Sequence, residues 1–281
     1  MGILYDRLLI LLNESSSDST FYHIALAMLQ NMELLHSLAI NEVADLCRVS
    51  KSTISKFIRA LGYEDYAEFR EAARLEENKY HVSYNFSVDV IGYLESHSVQ
   101  EYTQEIAKDI QLTAQQLDWD AVDRLVDDLI YYKKVFALGM MFSGTAAMDL
   151  QIKLGRCGKF IVAPRNDIQQ MDNVARADED TLLIVFSDSG QYLNRYDAIE
   201  DFYDKGIFNT TKAKTVLITS DEKMAHDPRV AYSILFHRGG NVHTHRTTFP
   251  FVTDMIAWRY YEKSHKNREY WNTAQIKART F

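Results

Sequence analysis

At 281 residues the chain is long enough for two domains of ordinary size, and 47% hydrophobic and 25% charged residues are typical of a globular protein. The formal net charge of −8 argues against a general polyanion binder but allows a local basic surface. Cys47 and Cys157 stand in unrelated contexts, which excludes a disulfide framework and favours a reducing cytoplasm. No stretch resembles a signal peptide or a membrane span, so the sequence predicts a cytoplasmic protein without a membrane partner.

The first eighty residues predict an all-helical domain. Apolar residues at helical spacing indicate a helix over 1–12 and a second helix for which Ser19 or Thr20 would be the cap. A charged helix is predicted to end near Tyr80. Between them, helical patterns are interrupted only by short polar segments, as in a bundle of packed helices.

Two short helices separated by a tight turn stand out within this domain. Ser37 is predicted to cap a helix that ends at Leu46, and Ser50 to cap a second helix over 51–61, which Gly62 stops. Both helices have an apolar inner stripe, and a small residue, Ala44, allows them to cross closely. This pattern predicts a helix-turn-helix, with an ordinary helical hairpin as the alternative.

The outer face of the second helix forms a local basic surface. No acidic residue occurs between Arg48 and Arg59, although the rest of the first eighty residues is rich in Asp and Glu. Hydroxyls at the start of such a helix reach base edges or phosphates, and lysine or arginine further along binds phosphates. The predicted DNA-binding residues are Lys51, Ser52, Thr53, Ser55, Lys56 and Arg59.

After residue 100 the pattern changes from helical to alternating. Helices are predicted over 101–117 and 119–131, the second capped by Asp118. Short apolar runs then alternate with helical segments, which predicts buried parallel strands in a sheet covered by helices on both faces. The predicted strands are 135–139, 160–163, 182–186, 215–219 and 234–236. The fold class is therefore an all-helical domain followed by an α/β domain with a mostly parallel sheet.

Two of the predicted strands end in loops of small and hydroxyl residues. Residues 139–149 follow the first strand, and Ser187-Asp188-Ser189-Gly190 follows the third. Hydroxyls and backbone N–H groups at strand ends suit a phosphate, and the carboxyl ends of parallel strands are where such sheets bind ligands. Each loop by itself is more typical of a plain turn.

The helix-turn-helix segment resembles the N-terminal domain of the RpiR family of bacterial regulators. The family arginine that precedes a phenylalanine is Lys56 here, which keeps the charge but lacks the bidentate fork. The matching positions are Glu42-Val43-Ala44, Val49-Ser50, Thr53-Ile54, Lys56-Phe57, Leu61-Gly62-Tyr63, Tyr66, Glu68-Phe69 and Arg70.

The alternating half resembles the sugar isomerase (SIS) domain that follows the helix-turn-helix in this family. The resemblance implies binding of a phosphorylated sugar. This sequence departs from the family at Met141, which replaces a glycine, and at Tyr192, which replaces a threonine, so that the last hydroxyl-bearing contact of the phosphate is a tyrosine. Arg246 and Asp254 extend the resemblance into the last long helix. The implied ligand-binding residues are Ser143, Gly144, Ser187, Ser189 and Gly190.

Three interpretations of the second domain remain open: a sensor that binds without catalysis, a phosphosugar isomerase, and a domain that only dimerises. An isomerase needs a base, but no candidate has a diagnostic spacing. The His243-Thr244-His245 segment lacks a marked third metal ligand. We favour the sensor, with no catalytic residues, no metal and no cofactor. The candidate bases are Glu200, His226, His237, His243 and His245.

The sequence thus predicts a helix-turn-helix domain over 1–77, a linker over 78–105, and a SIS-type sensing and dimerisation domain over 106–281. Implied partners are a double-stranded DNA operator, a phosphorylated sugar effector, and further copies of the chain in a homodimer or homotetramer. The expected role is regulation of sugar or amino-sugar genes, with repression as the family's more usual mode.

Overall fold

The computed structural model describes residues 3–80, 90–194, 206–239 and 245–278. The chain folds into two compact units, 1–95 and 96–281. The predicted linker over 78–105 lies partly outside the described residues. Two helices occupy much of its described part, because helix α6 spans Gly92–Ser96 and α7 begins at Val99.

The first unit is a bundle of helices, as the sequence predicts. Its helices before α6 are α1 (Ile3–Glu14), α2 (Thr20–Gln30), α3 (Ile40–Leu46), α4 (Lys51–Ala60) and α5 (Tyr66–Tyr80). Their apolar stripes meet in a core that contains aliphatic side chains and two buried phenylalanines. The core includes Leu4, Leu8, Ile24, Met28, Phe57, Ile58 and Phe69.

Cys47 and Cys157 are free thiols, and burial raises the pKa of Cys47 to about 11.

The prediction that Ser37 caps α3 is wrong. The Ser37 hydroxyl donates to the Leu34 carbonyl oxygen at 2.9 Å, and α3 begins three residues later, at Ile40. The Glu42 carboxylate instead accepts a 2.6 Å hydrogen bond from the Ala39 amide. The Glu42 side chain therefore satisfies a backbone group at the helix start, which is half of a capping box without a serine.

The second unit is built on a four-stranded parallel sheet with the order β1-β2-β3-β4. Its elements are α7 (Val99–Gln116), α8 (Trp119–Tyr131), β1 (Lys134–Leu138), α9 (Phe142–Arg156), α10 (Asp167–Ala175), β2 (Thr181–Phe186), α11 (Ile207–Thr210), β3 (Lys214–Thr219), β4 (Tyr232–Leu235) and α12 (His245–Ala278). Within the described residues, no helix is both long and apolar enough to span a membrane.

Both faces of the sheet are buried, which confirms the predicted α/β architecture. Leu182, Ile184 and Phe186 join the core formed with α8, α9 and α12. The alternate residues Leu183 and Val185 are equally buried and point to the opposite face, because successive strand side chains alternate. Four of the five predicted strands are present as β1 to β4, each within two residues of its predicted start.

The predicted strand over 160–163 is wrong. Only Val162 pairs with the sheet, in an isolated parallel bridge to Phe136. Its carbonyl oxygen accepts from the Ala137 amide at 2.8 Å, and its amide donates to the Val135 carbonyl oxygen at 2.9 Å. The segment lies along the edge of β1 but has no further ladder, and Pro164 next in the chain has no N–H to extend it.

Candidate DNA-binding surface and candidate ligand site

Helices α3 and α4 form the predicted helix-turn-helix, with a three-residue turn between Leu46 and Ser50. Ala44 is 4% exposed, so this small side chain is buried within the unit. In the turn Arg48 adopts φ 54°, a left-handed conformation that costs a non-glycine residue free energy. The Val49 amide closes the turn by donating to the Ala44 carbonyl oxygen at 2.9 Å.

The start of α4 is fixed by Ser50, as predicted. The Ser50 Oγ atom accepts from the Thr53 amide at 3.2 Å and lies 2.8 Å from the hydroxyls of Ser52 and Thr53. The Ser55 hydroxyl donates to the Lys51 carbonyl oxygen at 3.1 Å. These bonds hold the hydroxyls close to the helix while their remaining lone pairs stay available to donors outside the protein.

The basic side chains of α4 lie on its exposed face. Lys51, Lys56 and Arg59 are exposed, whereas Ile54 and Phe57 on the opposite face are buried. Among the described residues none of these three cations forms an ion pair. Their charges are therefore not neutralised within the unit and are available to phosphates.

Gly62 ends α4 in the left-handed conformation, with φ 86°. Its amide donates to the Arg59 carbonyl oxygen at 2.9 Å, and the Tyr63 amide to the Ile58 carbonyl oxygen at 3.2 Å. We predict that Gly62→Ala destabilises this unit by about 1 kcal/mol, because an added Cβ is strained at positive φ. The matched control, Arg48→Gly, should stabilise it, since glycine removes the same strain there.

Amide hydrogen exchange of α3 and α4 measures both variants, because it reports opening of this unit by itself. A loss of about 1 kcal/mol raises the population of the opened unit about fivefold, so we expect amide exchange about fivefold faster in Gly62→Ala. In Arg48→Gly we expect slower exchange. Faster exchange in both variants would contradict the interpretation of the two backbone conformations.

The four strand ends define the candidate ligand site. Since β1 to β4 are parallel neighbours, the segments that follow them lie along one edge of the sheet. The residues after β1 are 139–143, those after β2 are 187–190, Ser220 follows β3, and residues 236–239 follow β4. The structure therefore brings the two predicted ligand loops to the same edge and adds two segments that the sequence did not indicate.

Ser187 organises the second loop. It is 7% exposed, and its Oγ atom accepts from the Tyr192 amide at 3.2 Å, at a short 3-10 helix over Gln191–Leu193. Gly190 has φ 67°, and a Cβ at this position would lie 2.3 Å from the Met224 Cβ. Ser189 is partly exposed. The loop is thus closed tightly, with Ser187 buried at its start and Ser189 partly exposed.

Arg229 fastens the far end of this loop. Its guanidinium donates to the Leu193 carbonyl oxygen at 2.9 Å and to the Asn194 side chain at 2.5 Å. The same group bonds Asp227 and holds the pKa of that carboxyl below its ordinary value. Asp227 and Arg229 lie in the segment that precedes β4, and Leu193 and Asn194 lie at the end of the loop after β2. The bonds of Arg229 therefore attach this loop to that segment.

In the first loop, Met141 adopts a backbone conformation typical of the glycine that it replaces in the family resemblance. Met141 has φ 53° and ψ −118° and precedes α9, of which Ser143 and Gly144 form the first turn. A Cβ on Gly139 would lie 2.6 Å from the Ser143 backbone carbon, so the chain passes too closely for a side chain there. Ser143 and Gly144 are both partly exposed.

We predict that Met141→Gly stabilises the second unit by about 1 kcal/mol, since glycine adopts this backbone conformation without strain. Thr145→Gly, four residues later in α9, is the control and should destabilise, because glycine lowers helix stability. Tryptophan fluorescence during urea unfolding measures both, as Trp119 and Trp258 belong to this unit. A loss of stability in Met141→Gly would show that packing of the methionine outweighs its backbone strain.

Gln170 of α10 connects the two loops, and no sequence pattern pointed to it. Its side chain is fully buried and accepts from the Gly139 amide at 3.1 Å while donating to the Gly139 and Pro164 carbonyl oxygens at 2.9 Å. The Tyr192 hydroxyl donates to Gln170 Oε1 at 2.5 Å. Tyr192, where the resemblance places the last phosphate contact, therefore has its hydroxyl committed to Gln170 inside the protein.

A second cluster that the sequence did not reveal crosses the same edge. The Arg238 guanidinium binds the Asp188 carboxylate, which lies between the two predicted serines. The Ser220 hydroxyl donates to Asp188 Oδ1 at 2.7 Å, and the Thr219 hydroxyl to the Asp188 carbonyl oxygen at 2.8 Å. An arginine just after the last strand was the only sequence signal for this pair.

Two of the candidate bases, His226 and His237, have side chains among the described residues. His226 is exposed on a 3-10 helix, and His237 Nε2 lies 3.6 Å from Asp109 Oδ1. Glu200 and His243 lie outside the described residues, as do the side chains of His245 and Arg246. Within the described part of the chain, no metal-binding group of His, Cys, Asp or Glu occurs.

A protein-family model matches most of the first unit. Residues 13–78 match the model of the helix-turn-helix domain, rpiR family. An uncharacterized HTH-type transcriptional regulator of Clostridium perfringens is 27% identical over 158 residues, 54% of this chain and 55% of that protein. One from Providencia stuartii, in the aarA 3′ region, is 23% identical over 195 residues, 68% of this chain and 67% of that protein. The chain thus spans about half of the first relative and two thirds of the second.

Solved structures with similar coordinates include the Vibrio vulnificus NanR protein complexed with ManNAc-6P, with TM-score 0.49, 16% identity and coverage of 99% of both chains. The sugar isomerase domain of an RpiR transcription factor from Sphaerobacter thermophilus has TM-score 0.46 and 16% identity, and covers 64% of this chain and 97% of that one. A phosphoheptose isomerase from Francisella tularensis has TM-score 0.45 and 15% identity, and covers 59% of this chain and 99% of that one.

Proposed function

We propose that this chain, whose residues 13–78 are a helix-turn-helix domain of the rpiR family, is a DNA-binding transcriptional regulator. The observation that supports this most strongly is the capped helix α4 with an exposed, unpaired basic face. In this proposal the hydroxyls of α4 contact base edges or phosphates, and its cations bind phosphates. The DNA-binding residues are Lys51, Ser52, Thr53, Ser55, Lys56 and Arg59. An operator of two half-sites would be read by a homodimer or a dimer of dimers.

Selection of bound fragments from randomised duplex DNA tests this proposal. We expect enrichment of one sequence with inverted-repeat symmetry, since two copies related by a two-fold axis present two α4 helices. Size measurements on the protein alone and with the selected duplex give the number of copies. Failure to enrich any sequence at low salt would contradict specific DNA binding.

The second unit we propose to be a sensor that binds a phosphorylated sugar without catalysis. Two loops with hydroxyls and backbone N–H groups meet at the carboxyl edge of a parallel sheet, beside the guanidinium of Arg238. The ligand-binding residues are Ser143, Gly144, Ser187, Ser189 and Gly190. The effector would shift the arrangement of the DNA-binding units, for which a coupling of about 1–3 kcal/mol is sufficient. Repression of sugar or amino-sugar genes, relieved by the effector, is the mode that we propose.

Ser187→Ala tests the sensor. A hydrogen bond to a charged group contributes about 1.5–3 kcal/mol, so we expect the variant to bind the effector at least tenfold more weakly. The measurement is the thermal shift of wild type and variant across a panel of hexose and amino-sugar phosphates. Thr210→Ala is the matched control, because Thr210 precedes β3 at the other end of the strands and, like Ser187, has a hydroxyl that bonds a nearby backbone group, here the Gly206 carbonyl oxygen.

The outcomes also separate the two alternatives for this unit. No thermal shift with any phosphosugar would contradict the sensor and favour a domain that only dimerises. Turnover of a phosphosugar, followed by the appearance of its isomer, would favour the enzyme. Equal shifts in wild type and Ser187→Ala would place the ligand away from the loop after β2.

A further inference from the structure

Three consecutive residues after β4 connect the candidate ligand loop with a helix on the other side. The side chain of Arg238 reaches Asp188 in the loop after β2, while its neighbours His237 and Gly239 are held by α7. The segment 237–239 is therefore attached at one side to the proposed effector site and at the other to α7.

The α7 side of this connection is buried and specific. The Gly239 amide donates to Asp109 Oδ2 and the His237 amide to Thr113 Oγ1, both at 2.9 Å. Asp109 and Thr113 are each 1% exposed and lie four residues apart, on one face of the helix. A Cβ on Gly239 would come within 3.0 Å of Asp109 Oδ1, so the segment cannot shift towards α7 without moving it.

The ligand side is held less firmly. Asp188 has fixed partners in Ser220 and Thr219, whereas Arg238 is bound among the described residues only through Asp188. The Arg238 side chain is 33% exposed, so an anion in solution can reach it. A phosphate monoester at Ser187 and Ser189 would lie beside Asp188 and compete with its carboxylate for the same guanidinium.

α7, which holds the segment 237–239, lies close in the chain to the helical unit. α7 begins at Val99, and the helical unit that contains the helix-turn-helix ends at residue 95. Only a few residues of the chain therefore separate α7 from the unit that contains the helix-turn-helix.

We propose that Arg238 is an effector-binding residue whose change of partner, from Asp188 to the phosphate of the effector, is transmitted through residues 237–239 to Asp109 and Thr113 of α7. This inference rests on the proposed sensing function and names the regulation of the same site. Asp188 then acts as the internal competitor that occupies Arg238 when no effector is bound. Asp109 and Thr113 are positioning residues, which act through the backbone of the segment.

Hydrogen exchange of the full chain without any ligand tests the transmission. Breaking the pair in Asp188→Asn or Arg238→Leu should accelerate amide exchange at His237, at Gly239 and in the second half of α7 by about tenfold, if the pair contributes about 1.4 kcal/mol to their protection. Asp221→Asn is the matched control, because Asp221 bonds the backbone of its own turn at 2.8 Å at the same sheet edge. Exchange in α7 identical to wild type in both variants would overturn the transmission.

Phosphate binding tests the competition separately. Inorganic phosphate is titrated against full-length wild type and variants, with the backbone amide resonances of residues 187–190 as the readout. Arg238→Leu should raise the dissociation constant about tenfold, whereas Asp188→Asn should lower it, because the competing negative charge is gone. Equal constants in all three proteins would overturn the role of Arg238.

The two experiments keep the two proposals distinguishable. If wild type binds neither inorganic phosphate nor any hexose 6-phosphate, the sensing function fails and Arg238 loses its ligand. The exchange experiment then still decides whether the loop after β2 is coupled to α7, since it needs no effector. If phosphate binds but α7 does not respond to the variants, sensing stands and the transmission through residues 237–239 is wrong.

Discussion

Replacement of both Lys56 and Arg59 by alanine is expected to weaken binding to duplex DNA by about tenfold or more at 0.15 M salt, an order-of-magnitude value for the loss of two phosphate contacts. The physical reason is counterion release: each cation that neutralises a phosphate frees a condensed counterion. The slope of log affinity against log salt should therefore fall by about 1.8, or about 0.9 for each lost contact. Both side chains are exposed on α4 and form no ion pair among the described residues, so their removal should leave the fold intact.

Fluorescence anisotropy with the selected duplex, at several salt concentrations, measures both quantities. Lys212→Ala with Lys223→Ala is the matched control, because it removes the same charge from exposed positions of the second unit. That control should keep the wild-type slope. If it weakens binding as much as the α4 variant, the effect comes from net charge and α4 is not the DNA-contacting helix.

Gln170→Ala is expected to destabilise the second unit by about 3 kcal/mol, because a buried group left without its partner costs about 1–3 kcal/mol. The variant leaves the Gly139 amide, two backbone carbonyl oxygens and the Tyr192 hydroxyl without the Gln170 side chain. At about 2–4 °C per kcal/mol for a domain of this size, the melting temperature should fall by roughly 6–12 °C.

Tryptophan fluorescence during unfolding measures this loss, because Trp119 and Trp258 lie in the second unit. Gln191→Ala is the matched control: the same amide is removed from an exposed position on the loop after β2, and stability should change by less than about 0.5 kcal/mol. Gln170→Glu separates the two halves of the side chain, since it keeps the acceptors and loses both donors. A Gln170→Ala variant as stable as the control would contradict the structural role of Gln170.

The helix-turn-helix could be predicted in detail because its determinants are local. Ser50 caps α4 through a bond to a residue three positions away, and Gly62 ends the same helix at positive φ. Asp118 likewise caps α8 by accepting from the Ala121 amide at 3.1 Å. Each of these signals lies within one helical turn of the group it satisfies, so the residue type and spacing suffice.

At two segments the residue types predicted an element that the structure does not have. Ser37 has the right residue type for a helix cap but bonds the preceding turn, and α3 begins at Ile40 with Glu42 on the Ala39 amide. The apolar run over 160–163 has the composition of a strand but reaches the sheet only through Val162. In both cases the partner that decides the outcome is a backbone group whose position the residue itself does not specify.

By itself, the sequence determined the two-part architecture, the caps of α4 and α8 and the basic face of α4, because periodicity, capping and charge act between neighbours along the chain. Only the tertiary structure decided how the ligand edge is held together. Gln170 joins Gly139 to Tyr192, and Arg238 joins the loop after β2 to the segment that α7 holds. The physical reason is that these bonds link residues tens of positions apart, which become neighbours only when parallel strands align their carboxyl ends.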